Sequence, residues 1–242
     1  MTTAVIVQAR MGSTRLPGKV MLDLAGEPVI AHVLGRCRRI RNADIAVCAI
    51  SDLPASDPIE ALARKCGAMV YRGSEDDVLA RHLAAAQSVN ATVVMRITSD
   101  CPLIDPEICD RVAELRSAQG ADYASNNLPR TFPHGLDCEV FTFDVLAQAA
   151  SLARGSEERQ HVTPWMRSAP HLKRANLSSG DPTLARHRWT LDYSEDLDYM
   201  RAIFAMLPAD CPGRLADILH LLEQCPEITL INAARNQMAQ AG

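Results

Sequence analysis

The sequence predicts an α/β fold, a mostly parallel sheet with helices on both faces. Three observations carry that expectation. Short apolar runs alternate with segments of helical period through the first half of the chain. Prolines and cap-forming residues stand where helices would begin. The composition, 48% hydrophobic in 242 residues but only 4% aromatic, supplies a large core packed by Ala, Leu, Val and Ile.

The strands come first. Ala4–Gln8, Ile45–Ile50, Ala68–Tyr71 and Thr92–Ile97 are short runs of the kind a buried parallel sheet requires. Between them Ile30, Val33, Leu34, Cys37 and Ile40 share one helical face; Val78, Leu79, Leu83 and Ala86 form a second stripe, and Ile108, Val112 and Leu115 a third. Pro28 and Pro106 fall at helix first turns, with Asp105 as the cap before the latter. Ser74 suits the cap of a helix beginning near Glu75. The second half is less regular. Residues 126–134 read as a loop, Cys138–Thr142 as a strand and Phe143–Arg154 as a helix, followed by a break at Gly155–Glu157. Helical character returns over Glu158–Arg167 around Pro164; Arg188–Leu191 reads as a short strand, and a helix runs from Ser194 to about Leu207. No repeat or linker divides the chain, so one domain is expected over residues 1–242.

Charge narrows the function. Twenty-five Lys and Arg against 29 Asp and Glu give a net charge of -4, which argues against a nucleic-acid coat or a polybasic membrane binder. No apolar stretch is long enough to span a bilayer, and Met1–Val7 lacks the basic start of a secretion signal, so a cytoplasmic protein is expected. The eight cysteines form no CxxC or CxxH pair and read as reduced, buried thiols.

One segment stands apart. After the first strand, Gln8–Lys19 holds Ala9, Arg10, Gly12, Ser13, Thr14, Arg15, Gly18 and Lys19. In an open parallel sheet ligands bind at the carboxyl ends of strands, where this loop lies. Its glycines let backbone N–H groups face an anion, and Arg10, Arg15 and Lys19 supply charged donors. It is no Walker loop, since Val20 follows Lys19 where Ser or Thr is needed, and the chain contains no GxG of the dinucleotide type. At the same edge stands Asp100, and a carboxylate opposite a polyphosphate needs a divalent cation between them. Asp192, after the run Arg188–Leu191, is the second candidate ligand for Mg²⁺. Without a cation such carboxylates would repel, so removing either should not harm the metal-free fold.

Gln8–Lys19 continued by Leu24–Pro28 resembles the N-terminal signature of the cytidylyltransferases that make CMP-activated sugars. Arg72–Leu79, Arg96–Asp105, Gly135–Phe141 and Arg188–Tyr193 extend the resemblance to the branch named for the spore coat polysaccharide biosynthesis protein SpsF. It covers about residues 3–232. The resemblance implies a Rossmann-like nucleotidyltransferase fold (the nucleotide-diphospho-sugar transferase type). Residues to about 120 would form the nucleotide-binding half, and those from about 121 to 242 an acceptor-binding half on which a homodimer is built. It implies that acids at Asp100 and Asp192 hold the metal and that the loop Arg72, Gly73 and Ser74 helps read the base. Glu158 and His161 match a polar run of the branch, with Gln160 where Glu often stands. Asp137 and Glu139 alternate with Leu136 and Cys138, so they share one strand face and could accept hydrogen bonds from sugar hydroxyls, or one could act as a base.

The expectation is an enzyme that transfers CMP from CTP to an acidic sugar or sugar-like acceptor and releases pyrophosphate. Arg10, Arg15 and Lys19 would hold the β- and γ-phosphates, and Mg²⁺ on Asp100 and Asp192 would offset charge at the α-phosphate. A glycosyltransferase using a nucleotide-sugar is the rival enzyme, although Asp100-Cys101-Pro102 is no DxD motif; a non-catalytic nucleotide-binding regulator is the rival from another class.

Overall fold

The computed structural model describes residues 1–208 and 211–240, the side chains of 237–240 excepted. The first half contains β1 (Thr3–Ala9), a small hairpin of β2 (Asp23–Leu24) and β3 (Glu27–Pro28), α1 (Val29–Cys37), β4 (Ile45–Ser51) and α2 (Asp57–Lys65). It continues with β5 (Met69–Gly73), α3 (Val78–Ser88), β6 (Val93–Thr98) and α4 (Pro106–Gln119). The second half contains β7 (Tyr123–Ser125), β8 (Glu139–Thr142), α5 (Phe143–Leu152), α6 (Ser156–His161), α7 (Pro164–Ser168) and β9 (Arg174–Asn176). It closes with α8 (Ser194–Met206), α9 (Leu215–Gln224) and α10 (Ala233–Gln240).

Seven strands form one sheet in the order β5-β4-β1-β6-β8-β7-β9. β5, β4, β1 and β6 run parallel, while β8 pairs antiparallel with both β6 and β7. The chain steps outward from β1 through β4 to β5, and α3 then carries it back to β6 on the other side of β1. The order therefore reverses between β1 and β6, and that is where such sheets open a crevice at their carboxyl ends.

β1 shows why the apolar run is unbroken. Val5, Val7 and Ala9 face Ile30, Val33, Ile59 and Val112 on one side of the sheet. Ala4 and Ile6 face Leu79, Ala86, Leu146 and Met166 on the other. A strand covered on both faces needs no polar alternation. A third cluster around Trp189, Leu191, Tyr199 and Ile203 joins Leu24 and Val29 of the hairpin region to the C-terminal helices.

The four parallel strands and helices α1, α3 and α4 lie where expected, α2 being an addition, and Asp105 caps α4, accepting from the Glu107 N–H at 2.9 Å. Other expectations need correction. Ser74 is not the cap of α3: Asp77 is, its carboxylate accepting from the Ala80 N–H at 2.9 Å, while the Ser74 hydroxyl accepts from the Asp77 N–H one turn earlier. The break after α5 falls before Ser156, not over Gly155–Glu157, and the helical stretch around Pro164 is divided into α6 and α7. Arg188–Leu191 is not a strand, because only Arg188 forms a bridge, to His134. Its neighbours are held by single bonds instead: Trp189 N–H donates to the His134 carbonyl at 2.6 Å and Leu191 N–H to the Asp100 carbonyl at 2.9 Å.

Among the described residues no helix is long and apolar enough to cross a membrane. All eight cysteines are free; Cys37, Cys48, Cys101, Cys109 and Cys138 are buried and the other three half-buried.

Candidate active site

The crevice predicted by the strand order is present. A cavity of about 260 Å³ lies over the ends of β1 and β6, lined by Ala9, Arg10, Ser13, Lys19, Arg81 and Asp100 among others. A second cavity of about 320 Å³ adjoins it, with Asn127, His134, Asp137, Glu139 and Arg167 in its wall. Arg15, Arg96, Thr98, Asp100, His161 and Asp192 border both. The two spaces thus meet at the pair of aspartates.

Lys19 organises that meeting point. Its ammonium donates to Asp100 Oδ2 at 2.7 Å, to Asp192 Oδ1 at 3.0 Å and to the Leu191 carbonyl at 2.8 Å. Arg15 donates to the same Asp192 oxygen at 2.7 Å. Burial pushes the carboxyl of Asp100 up, but the Lys19 charge outweighs it and holds the group below its usual range. Burial likewise opposes ionisation of Asp192, again overcome chiefly by Lys19. Lys19 in turn is held above its ordinary value, the two carboxylates overcoming its own desolvation. The expectation of an electronegative pair that repels is therefore corrected: the aspartates are already compensated by cations.

What places Asp192 there was not read from the sequence. Arg188, buried, grips Asp196 through Nε and Nη2, both at 2.9 Å, and reaches Asp192 Oδ2 at 3.0 Å. Asp196, fully buried in the first turn of α8, accepts the Asp192 N–H at 2.9 Å, and Asn232 donates to both Asp196 and the Arg188 carbonyl at 3.1 Å. Tyr193 lies under three guanidinium groups, those of Arg15, Arg188 and Arg235, at 5.2, 5.8 and 4.2 Å from its ring centre. Gly135 closes the other side. At φ 118° it packs so tightly on Trp189 that a Cβ would lie 2.1 Å from the Trp189 carbonyl oxygen.

Glu139 does not offer itself to a sugar. The antiparallel register sets it opposite Arg96, which donates at 2.5 Å. Arg167 donates through Nε and Nη2 at 3.1 and 2.7 Å, and the Tyr123 hydroxyl at 2.5 Å. Burial raises its pKa, yet Arg96 and Arg167 more than reverse that and bring it down to about 2. Both oxygens are occupied, so neither hydroxyl binding nor base duty fits it as it stands. Asp137 does line the second cavity and is paired with Arg130, 2.7 Å from Nη2 to Oδ2.

The remaining candidates divide. His161 borders both cavities. It is followed by Val162 at φ 70° and ψ -53°, a γ-turn closed by the Thr163 N–H on the His161 carbonyl at 2.8 Å. A buried β-branched residue there is strained. Glu158, by contrast, caps α6, accepting the N–H groups of Arg154 and Gly155 at 3.0 and 2.9 Å. Arg72 turns onto α2, donating to Asp57 at 2.8 Å, Glu60 at 2.7 Å and the Leu53 carbonyl at 2.9 Å. Its guanidinium, Gly73, Ser74, Gly12 and Glu158 do not line either cavity. Arg81, which does, was missed: it lies off the apolar stripe of Val78, Leu79, Leu83 and Ala86, yet is buried on α3 with Val78, His82 and Ala85.

The fit to a divalent cation can be judged from Asp100 and Asp192 alone. Both point hard carboxylate oxygens at one ammonium, and both border open cavity. Among the described residues no cluster of three or more His, Cys, Asp or Glu could hold a metal by itself. A two-carboxylate half-site, completed by phosphate oxygens and water, is the pattern Mg²⁺ accepts.

Comparisons with known proteins agree with this architecture. The sequence model of the cytidylyltransferase family matches residues 4–225. The spore coat polysaccharide biosynthesis protein SpsF of Bacillus subtilis is 31% identical over 92% of this chain and 94% of its own length. A 3-deoxy-manno-octulosonate cytidylyltransferase of Anaeromyxobacter is 27% identical over 86% of this chain and 98% of its own. The solved structure of a cytidylyltransferase from Leptospira borgpetersenii superposes with a TM-score of 0.88 at 30% identity, covering 95% of this chain and 97% of that one.

Proposed function

This chain belongs to the cytidylyltransferase family, and from that premise we propose that it transfers CMP from CTP to an acidic sugar or sugar-like acceptor in surface polysaccharide or glycan biosynthesis. One observation carries the proposal: the two cavities meet at Asp100 and Asp192, so a donor and an acceptor can face each other across a single charged point. The names of the relatives, one in spore coat polysaccharide synthesis and one acting on 3-deoxy-manno-octulosonate, support the acceptor class.

In this reading the nucleotide occupies the first cavity and the acceptor the second. An acceptor oxygen attacks the α-phosphorus in line; the new O–P bond forms as the α–β anhydride breaks, and its electron pair leaves with pyrophosphate. The protein contributes position and charge more than covalent chemistry. Arg10, Arg15 and Lys19 hold the triphosphate, with Lys19 and Arg15 exchanging an aspartate for a phosphate when nucleotide arrives. Mg²⁺ would be held by Asp100 and Asp192 and would supply charge neutralisation at the phosphates. Asp137 and His161 face the acceptor, and Arg96 and Arg167, which share the single negative charge of Glu139, leave a positive surplus suited to an acidic group. The loop Arg72, Gly73 and Ser74 reads the base through its backbone, since the Arg72 guanidinium is engaged on α2. A cytoplasmic homodimer that binds neither nucleic acid nor membrane completes the proposal.

The experiment is a calorimetric titration with the four nucleoside triphosphates and Mg²⁺. CTP should bind most tightly; ATP or GTP preferred would remove the cytidylyl assignment.

A further inference from the structure

Five cations of the first cavity wall fall into two groups. Lys19 and Arg15 sit on Asp100 and Asp192, and Arg96 sits on Glu139. Arg10 and Arg81 have no carboxylate within ion-pair distance among the described residues. Arg81 is the unusual one. It is 2% exposed, and its Nε has no hydrogen-bond partner. Its Nη1 donates to the carbonyls of Ser74 and Glu75. A buried guanidinium without a counter-ion is costly, and proteins rarely keep one unless something completes it.

The surroundings sharpen this. Burial, and then the charge of Arg10, both act against the protonated form of Arg81, with Glu75 and Asp52 opposing them from beyond contact distance. Two like charges thus line one cavity, near enough for the charge of Arg10 to act on Arg81. That arrangement is unfavourable by itself and favourable around an anion, since two guanidinium groups can each offer paired donors to phosphate oxygens.

The geometry points to Arg81, acting with Arg10, as a binding residue for the polyphosphate of the nucleotide in the first cavity. This inference rests on the nucleotide-transfer reading and deepens it. The triphosphate then meets both the uncompensated pair and Lys19, which line the same cavity. Because the same guanidinium holds the carbonyls of residues 74 and 75, phosphate binding also fixes the loop that follows β5. One side chain couples the phosphate end of the ligand to that loop.

The test uses inorganic tripolyphosphate, CTP and CMP as calorimetric probes of the parent protein, Arg81→Gln and Arg81→Lys. Charge-assisted hydrogen bonds predict that Arg81→Gln weakens tripolyphosphate and CTP by about tenfold or more, while CMP changes by less than about threefold. Arg81→Lys, which keeps the charge but not the fork, should lie between. If Arg81→Gln does not fold, the rise in unfolding midpoint produced by tripolyphosphate is compared between the parent and Arg81→Lys, and must be smaller in the variant. Equal losses for CTP and CMP would reduce Arg81 to a brace for the loop and overturn the inference. So would a parent protein that does not bind tripolyphosphate, or variants that bind it unchanged. A protein that binds tripolyphosphate through Arg81 but prefers ATP keeps this inference and loses the cytidylyl reading; CTP preference indifferent to Arg81 does the reverse.

Discussion

The backbone N–H of Leu191 donates to the carbonyl of Asp100 across 2.9 Å. With the Thr190 hydroxyl, which donates to the same carbonyl at 3.4 Å, that bond ties an irregular segment of the second half to the residues just after β6 and helps set Asp192 beside Asp100. Lys19 then bridges both carboxylates, and Arg15 and Arg188 add two further cations to Asp192. With Asp196, which Arg188 also grips, three cations face three carboxylates and the centre is balanced without nucleotide. Its chemistry therefore depends on cations changing partners.

The aspartates should act as one unit. Asp100→Asn and Asp192→Asn should each abolish most turnover, and the double variant should be little worse than either. Because each carboxylate balances Lys19, the single variants should also lose stability without metal, by about 1–3 kcal/mol. Urea unfolding at neutral pH checks this; a gain in stability would show that repulsion, not pairing, governs the pair.

Lys19→Ala separates phosphate binding from carboxylate bridging. CTP should bind about tenfold more weakly or worse, and CMP should be far less affected. Equal losses, measured by titration, would confine Lys19 to its present aspartate contacts.

Glu139 gives a pH dependence with a defined sign. Its folded-state pKa is depressed to about 2 from an ordinary 4.5, so the stability it contributes is present above about 4.5 and lost as pH falls toward 2. The contribution is on the order of 3 kcal/mol. Glu139→Gln should destabilise the protein at neutral pH by about 3 kcal/mol, leaving Arg96 and Arg167 unbalanced, and should flatten the acid limb of the unfolding profile. An acid limb of unchanged slope would place the titrating group elsewhere.

Gly135→Ala tests the packing behind the site. The added methyl meets the Trp189 carbonyl, and the backbone there requires positive φ. A loss of more than about 2 kcal/mol is expected, together with reduced turnover as the segment carrying Asp192 shifts. A stable, fully active variant would show that this segment is not held by that contact.

Much of this was legible because it is local. Apolar runs and helical stripes located the first four strands of the parallel set, and the crowding of Arg10, Arg15 and Lys19 marked the loop over the crevice. What failed depends on long-range partners. The run Arg188–Leu191 looks like a strand because Trp189 and Leu191 alternate with Arg188 and the β-prone Thr190, yet its backbone finds only isolated bonds to His134 and Asp100. Asp137 and Glu139 share a face as alternation requires, but the register that puts Arg96 opposite Glu139 occupies that carboxylate internally. Arg72 carries the right charge for a ligand and spends it on Asp57 and Glu60 of α2, a helix the apolar pattern did not reveal. Short strands such as β7 and β9 have too few residues to show a period.

The most direct measurement is pyrophosphate release from CTP with Mg²⁺ and a panel of acidic sugars, the product identified by mass. The expected result is release that requires an acidic acceptor, a product carrying CMP joined to it, and little turnover with ATP, GTP or UTP. Release that is indifferent to the base, or a product formed from a nucleotide-sugar instead of CTP, would contradict it.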